Sequence, residues 1–306
     1  MHRLRKQGRP SALSLVRHCG RIISAMKSFR RNLLLVLLTG TLSFAQNAIP
    51  SYVQVRNVSH GTVQSVSYKS KALGTDRKMV VYTPPGYEQS KERYPVLYLL
   101  HGAGSDETSW TQRGSAHVIL DNLIADGKLK PLVVVMPFGL AAPRAAGARG
   151  DAAENKMQRE GFTKDFFGDV LPLVDAKFRV FTDRDHRAIA GLSLGGAQAL
   201  AIGLTHIDLF SRIAAFSPAM GASNNPATGG VDFETVLSDT SKINNQINFL
   251  WVSCGTEDTL FDSIRDFSLQ LAKHKIEHIY RITGGAHAYP VWQRNLNEVA
   301  PLLFPD

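Results

Sequence analysis

Residues 191–196 read Gly-Leu-Ser-Leu-Gly-Gly and contain the pattern G-x-S-x-G. The pattern lies between a strand-like apolar run and a helix-like apolar run, the setting in which a serine is held on a sharp strand-to-helix turn with its hydroxyl exposed. Ser193 is therefore a candidate nucleophile. A serine hydroxyl needs a base to take its proton, and the base needs a carboxylate to fix its tautomer and stabilise its cation. Asp258, in Gly255-Thr256-Glu257-Asp258, is the candidate acid. Glu257 and Asp262 are weaker rivals, and the helix expected from Leu260 leaves capping open as another role for Asp258. His287, in Gly284-Gly285-Ala286-His287, is the candidate base, with a solvated loop histidine as the bland alternative. His206, His274 and His278 lie in or beside regular elements and have no matching position. The developing oxyanion needs two backbone N–H groups. Leu194, next to the nucleophile, and Ala103, in His101-Gly102-Ala103-Gly104, are the candidates, with His101 shaping that loop.

These residues must be carried to one place by the elements around them. Residues 51–69 and 77–84 alternate in the β manner and predict early antiparallel strands. Val96–Leu100 and Leu132–Met136 are unbroken apolar runs, as expected of strands buried on both faces. Residues 115–126 read as a helix, and 138–160, rich in Gly, Ala and Arg, as an irregular loop with a functional role. Helical spacing runs from Phe162 to Lys177. A short strand at 187–190 leads into Ser193, followed by a small-residue helix over 194–204. Strands at 213–216, 249–252 and 278–282 and helices at 260–273 and 291–303 complete the chain. Each catalytic candidate thus follows a strand. The alternation predicts one α/β domain with a mostly parallel sheet flanked by helices.

Taken in order, Tyr98–Trp110, the Phe166–Pro172 segment, Ala190–Gly196, Cys254–Asp258 and Gly285–Trp292 resemble the esterase-D-like esterases, which include carbohydrate esterase family 1. The resemblance covers nearly all of residues 75–300. It implies an α/β-hydrolase fold, a Ser193–Asp258–His287 triad and an oxyanion hole from Leu194 and Ala103. Many members read Gly-Gly-His before the tryptophan-bearing helix; here Ala286 is inserted, which leaves the loop geometry to be seen. Family activities include feruloyl and acetyl-xylan ester hydrolysis, enterochelin hydrolysis, S-formylglutathione hydrolysis and mycolyl transfer. The expectation is a serine esterase acting on feruloyl or acetyl esters of xylan-type polysaccharide. A siderophore esterase or acyltransferase on the same triad is the alternative. A catalytically silent carbohydrate-binding relative would require a broken triad, and no position is visibly broken.

The net charge of +9 does not mark a polyanion binder. Nine basic residues and no Asp or Glu lie within residues 1–45, so the remainder carries no net charge. No nucleic-acid partner is expected. Within that segment Lys27, Arg30 and Arg31 precede the apolar run Leu33–Leu38, and Ser43-Phe44-Ala45 follows with small residues suited to cleavage after Ala45. This is the pattern of a secretory signal, with Met26 as a possible true start. The run is short for a membrane span of about 20 residues. An uncleaved anchor is the alternative; the expectation is a secreted or periplasmic domain over residues 46–306. Beyond Cys19 the only cysteine is Cys254, read as a buried strand-end residue. No zinc spacing, P-loop or dinucleotide fingerprint is present, so no cofactor or metal is expected.

Overall fold

The computed structural model describes residues 49–143, 151–220 and 231–305. The expected secretory signal lies outside the described residues. The chain from Ile49 onward forms one compact unit. Its strands and helices follow in the order β1 (Thr62–Lys69), β2 (Asp76–Thr83), β3 (Val96–Leu100), α1 (Ser109–Gln112), α2 (Ala116–Ala125) and β4 (Val133–Pro137). Then come α3 (Ala152–Asp165), α4 (Leu171–Lys177), β5 (Arg187–Leu192), α5 (Leu194–Thr205) and β6 (Arg212–Phe216). α6 (Phe233–Ser238), α7 (Thr240–Gln246), β7 (Phe249–Gly255), α8 (Phe261–Lys273), β8 (Ile279–Thr283) and α9 (Tyr289–Leu303) complete it.

The strands form one sheet of eight in the order β1-β2-β4-β3-β5-β6-β7-β8. β2 pairs antiparallel with β1 and β4, and every other pairing is parallel. Every residue of β3, β4 and β5 is buried, which explains their unbroken apolar sequences. Side chains alternate across the sheet, so Val96, Tyr98 and Leu100 join one hydrophobic cluster while Leu97 and Leu99 join another. α3, α4, α5 and α8 cover the first face, α1, α2 and α9 the second. The chain runs from β3 to β4 on one side, and β5 pairs with β3 on the other. That reversal opens a crevice at the carboxyl ends of the strands, where sheets of this kind bind ligands. Among the described residues no helix is long and apolar enough to cross a membrane.

Two expectations need correction. Residues 51–60 do not join the sheet. Ser51–Val53 is a single 3-10 turn, and Asn122 of α2 donates to the carbonyls of Tyr52 and Gln54. The apolar side chains of Tyr52 and Val53 pack on the second-face cluster, so their alternation marks docking and not pairing. The stretch read as an irregular loop over 138–160 ends in α3, which begins at Ala152 with the Asp151 carboxylate accepting from the Glu154 N–H. Before Phe162 the buried residues of this helix are Gln158 and Arg159, so no apolar stripe announces it. Its junction with α4 is a π-turn over Phe166–Val170. Pro172 has no N–H to offer the turn before it, and the Leu171 N–H bonds the Phe166 carbonyl five residues back. The two short helices α6 and α7 were likewise not foreseen.

Candidate active site

Ser193 stands directly after β5, at the carboxyl end of that strand. Its backbone lies at φ 53° and ψ −117°, outside the regions open to most side chains. The turn closes because α5 passes almost in contact with β5 and β3. A Cβ on Gly191 would collide with the Gly195 backbone, and one on Gly195 with the carbonyls of Leu100 and His101. The strained serine is held by three backbone bonds. Its N–H donates to Phe216 O at 2.9 Å, and its carbonyl accepts from Ala219 at 2.9 Å and from Ala197 at 3.1 Å.

His287 reaches the serine from the loop between β8 and α9, with Nε2 2.9 Å from Ser193 Oγ. Its Nδ1 lies 2.8 Å and 3.0 Å from the two carboxylate oxygens of Asp258. An ionised carboxylate can only accept, so Nδ1 carries the proton and Nε2 is left to accept from the serine hydroxyl. The Asp258 side chain is fully buried. Burial alone would favour its neutral form. The hydrogen bonds from His287 and from the Leu260 N–H, with the Ser217 hydroxyl nearby, outweigh burial and hold the carboxyl below its ordinary range. Asp258 does not cap α8, whose N-cap is Leu260 with no side-chain acceptor: its carboxylate orients His287 and accepts from Leu260, the residue preceding the helix. Glu257 is exposed and Asp262 pairs with Arg265 on the surface.

The inserted Ala286 does not displace the histidine. The Gly285 carbonyl accepts from the Glu257 N–H at 3.0 Å, the Thr283 carbonyl from Thr256 at 2.8 Å, and Ala288 N–H closes back on Ala286 O. The 284–288 loop presses so tightly on Gly255 that a Cβ there would overlap the Gly285 carbonyl. Gly285 itself takes φ 118°, which a side chain rarely adopts. The rings of Trp292 and His287 stand perpendicular, with centroids 4.9 Å apart at 87°.

Leu194 is the first residue of α5, so its N–H has no intrahelical acceptor. Ala103 is exposed, and its N–H makes no backbone hydrogen bond among the described residues. The Gly102 backbone lies against the nucleophile, a Cβ there falling 3.3 Å from Ser193 Cβ. His101 is buried and serves the loop. Its Nδ1–H donates to Gly102 O at 2.8 Å, and its Nε2 accepts from the Gly139 N–H at 2.9 Å. Burial pushes its pKa down, so it stays neutral. His206 stacks on Phe167, His274 pairs with Glu234 and His278 bonds Ser268, so none of them joins the cluster. Cys254 is buried at the end of β7, and burial pushes its thiol up to about 12, which keeps it protonated and unreactive.

Sequence reasoning missed how the loop after β4 is secured. Gly139 is gripped at both backbone groups, by His101 at its N–H and by Gln198 Nε2 at its carbonyl, 2.8 Å away. Arg77 donates to Phe138 O and Ala141 O and pairs with Asp165, all within the protein interior. The signal available was Gln198, one buried amide on an otherwise apolar helix.

A family model described as "Putative esterase" matches residues 70–303. The chain belongs to that esterase family. An endo-1,4-beta-xylanase/feruloyl esterase of Xylanibacter ruminicola is 34% identical to this esterase-family chain over 260 residues, covering 83% of the chain and 33% of that protein. The chain thus spans a third of that relative's length. The S-formylglutathione hydrolase of Paracoccus denitrificans is 28% identical over 200 residues, 60% of the chain and 66% of that protein. A solved ferulic acid esterase structure superposes with a TM-score of 0.70 at 28% identity, over 80% of the chain and 98% of its own length. The fold of the family member is that of the α/β-hydrolases.

Proposed function

We propose that this chain is a serine carboxylic-ester hydrolase that removes feruloyl or acetyl groups from xylan-type polysaccharide esters. The observation that carries the reaction is the hydrogen-bonded row from Ser193 Oγ through His287 to Asp258. Ser193 Oγ attacks the ester carbonyl as its proton passes to His287 Nε2. The carbonyl oxygen becomes an oxyanion, which accepts from the N–H groups of Leu194 and Ala103. The bond to the alcohol breaks, and the leaving oxygen takes the proton from His287. Water then gives a proton to His287 and attacks the acyl-enzyme. The acid leaves as the proton returns to Ser193.

The polysaccharide assignment rests on the similarity to the Xylanibacter ruminicola xylanase/feruloyl esterase and on the signal-like segment at residues 1–45. On this reading the segment is removed after Ala45, no anchor remains, and residues 46–306 act outside the cytoplasm. Hydrolysis of methyl ferulate and p-nitrophenyl acetate by the wild type, with kcat down by roughly 10⁴-fold or more in Ser193→Ala, is the expected result. Undiminished turnover by the variant refutes the mechanism. The similarity to the S-formylglutathione hydrolase favours a second reading, a thioesterase on the same residues. A kcat/KM for S-formylglutathione well above that for methyl ferulate would select it.

A further inference from the structure

β6 lies between the strand that carries Ser193 and the strand that leads to Asp258, and the residues just past its end touch both. Phe216 O and the Ala219 N–H bond the backbone of Ser193 from either side. Pro218 packs on α5, with its Cα only 3.1 Å from where a Cβ on Gly196 would lie. Toward the acid, the Ser217 N–H donates to Ser253 O of β7 at 2.8 Å.

Ser217 is a costly choice at this point. Its φ is 45°, a left-handed conformation that favours glycine, and Pro218 further narrows the backbone open to it. It is fully buried, and its hydroxyl makes no hydrogen bond of ordinary geometry among the described residues. A buried hydroxyl without a partner destabilises a fold. Glycine would suit this backbone better, and alanine would leave no orphaned oxygen. The hydroxyl nonetheless stands close enough to the Asp258 carboxylate, and to the Cys254 thiol, to favour the ionised form of each, and of the two only the carboxylate carries a charge to attract it. A hydroxyl can rotate to a nearby charge, and catalytic hydrogen bonds often tighten only when substrate is bound.

We propose that Ser217 is a positioning residue, whose hydroxyl donates to Asp258 during the reaction while the 217–219 turn keeps the nucleophile and the acid in one register. The proposal rests on the triad reading above. Because His287 acts in both acylation and deacylation, loss of this bond slows both steps together. kcat falls and KM stays nearly constant.

The test compares Ser217→Ala and Ser217→Gly with the wild type on p-nitrophenyl acetate, alongside thermal melts. Both variants are expected to melt at or above the wild-type temperature. Both should lose about tenfold in kcat, the worth of one hydrogen bond to a charged group, with KM within about twofold. Wild-type kcat in both variants overturns the proposal. So does loss in the alanine variant that glycine restores, because backbone strain would then be the cause. Lower melting temperatures in both also overturn it, because the hydroxyl would then serve folding. Ser193→Ala in the same assay separates the two readings: an inactive variant upholds the triad whatever Ser217 does, and an active one refutes it.

Discussion

Ser193 occupies a backbone conformation that costs an ordinary side chain on the order of 1–3 kcal/mol, and three backbone hydrogen bonds hold it there. The strain presents Oγ to His287 at 2.9 Å before any substrate arrives. Asp258 makes the matching contribution behind the imidazole. Replacing it by Asn keeps the shape but lets His287 adopt the wrong tautomer, so kcat is expected to fall by roughly 10³–10⁴-fold in steady-state assays. The same residue links folding to pH. Its carboxyl ionises more readily in the folded chain than in the unfolded one, so its stabilisation is present above the ordinary carboxylate range and is lost as pH falls through the lower folded value. Between about pH 5 and pH 3 the wild-type melting temperature should fall more steeply than that of Asp258→Asn. Parallel pH–melting curves would show that Asp258 is not linked to folding in this way. Ser193, Asp258 and His287 were legible in the sequence because each follows an apolar run within a glycine-marked loop. Ser217 was not. Its importance depends on a buried left-handed turn and a neighbouring strand, neither of which leaves a mark in a Phe-Ser-Pro-Ala stretch.

The elements that aim these residues are the strand ends. β5, β7 and β8 each deliver one catalytic candidate to the same edge of the sheet, and β3 and β4 deliver the loops beside them. β3, β4 and β5 were readable because full burial requires unbroken apolar runs. α3 was not, since it buries Gln158 and Arg159 where a helix usually buries Leu or Ile. Gln158, with Arg77, binds the loop at 138–142 to the body of the protein. The Arg77–Asp165 pair is almost wholly buried. Arg77→Ala would leave a buried carboxylate without its cation and release the carbonyls of Phe138 and Ala141. It should cost about 3–5 kcal/mol of stability in denaturant unfolding. It should also lower kcat/KM for esters, because Gly139 is shared with His101 of the loop after β3, the loop proposed to bind the oxyanion. A variant with unchanged unfolding free energy would show that the network carries no such weight.

At the scale of the whole molecule, one eight-stranded sheet with helices on both faces brings residues 94 positions apart in the chain into hydrogen-bond contact. The local signals for Ser193 and His287 were visible separately. Their meeting is a property of strand order, which periodicity alone does not specify. The charge asymmetry belongs to this scale too. With nine basic residues and no acidic ones at positions 1–45, the remainder of the chain carries no net charge. If those residues direct export, the protein recovered outside the cytoplasm should begin at Gln46, and deletion of residues 1–25 should leave export intact. N-terminal sequencing of the recovered protein tests both, and a mature chain that retains residues 27–45 contradicts cleavage after Ala45. The central claim is that Ser193 becomes acylated by ester substrates. Acid-quenching the enzyme during turnover of p-nitrophenyl acetate, followed by mass mapping of its peptides, tests it directly. The account predicts one acetyl group on the peptide bearing Ser193, absent from Ser193→Ala. An acetyl group on another residue, or turnover that persists in Ser193→Ala, would contradict it.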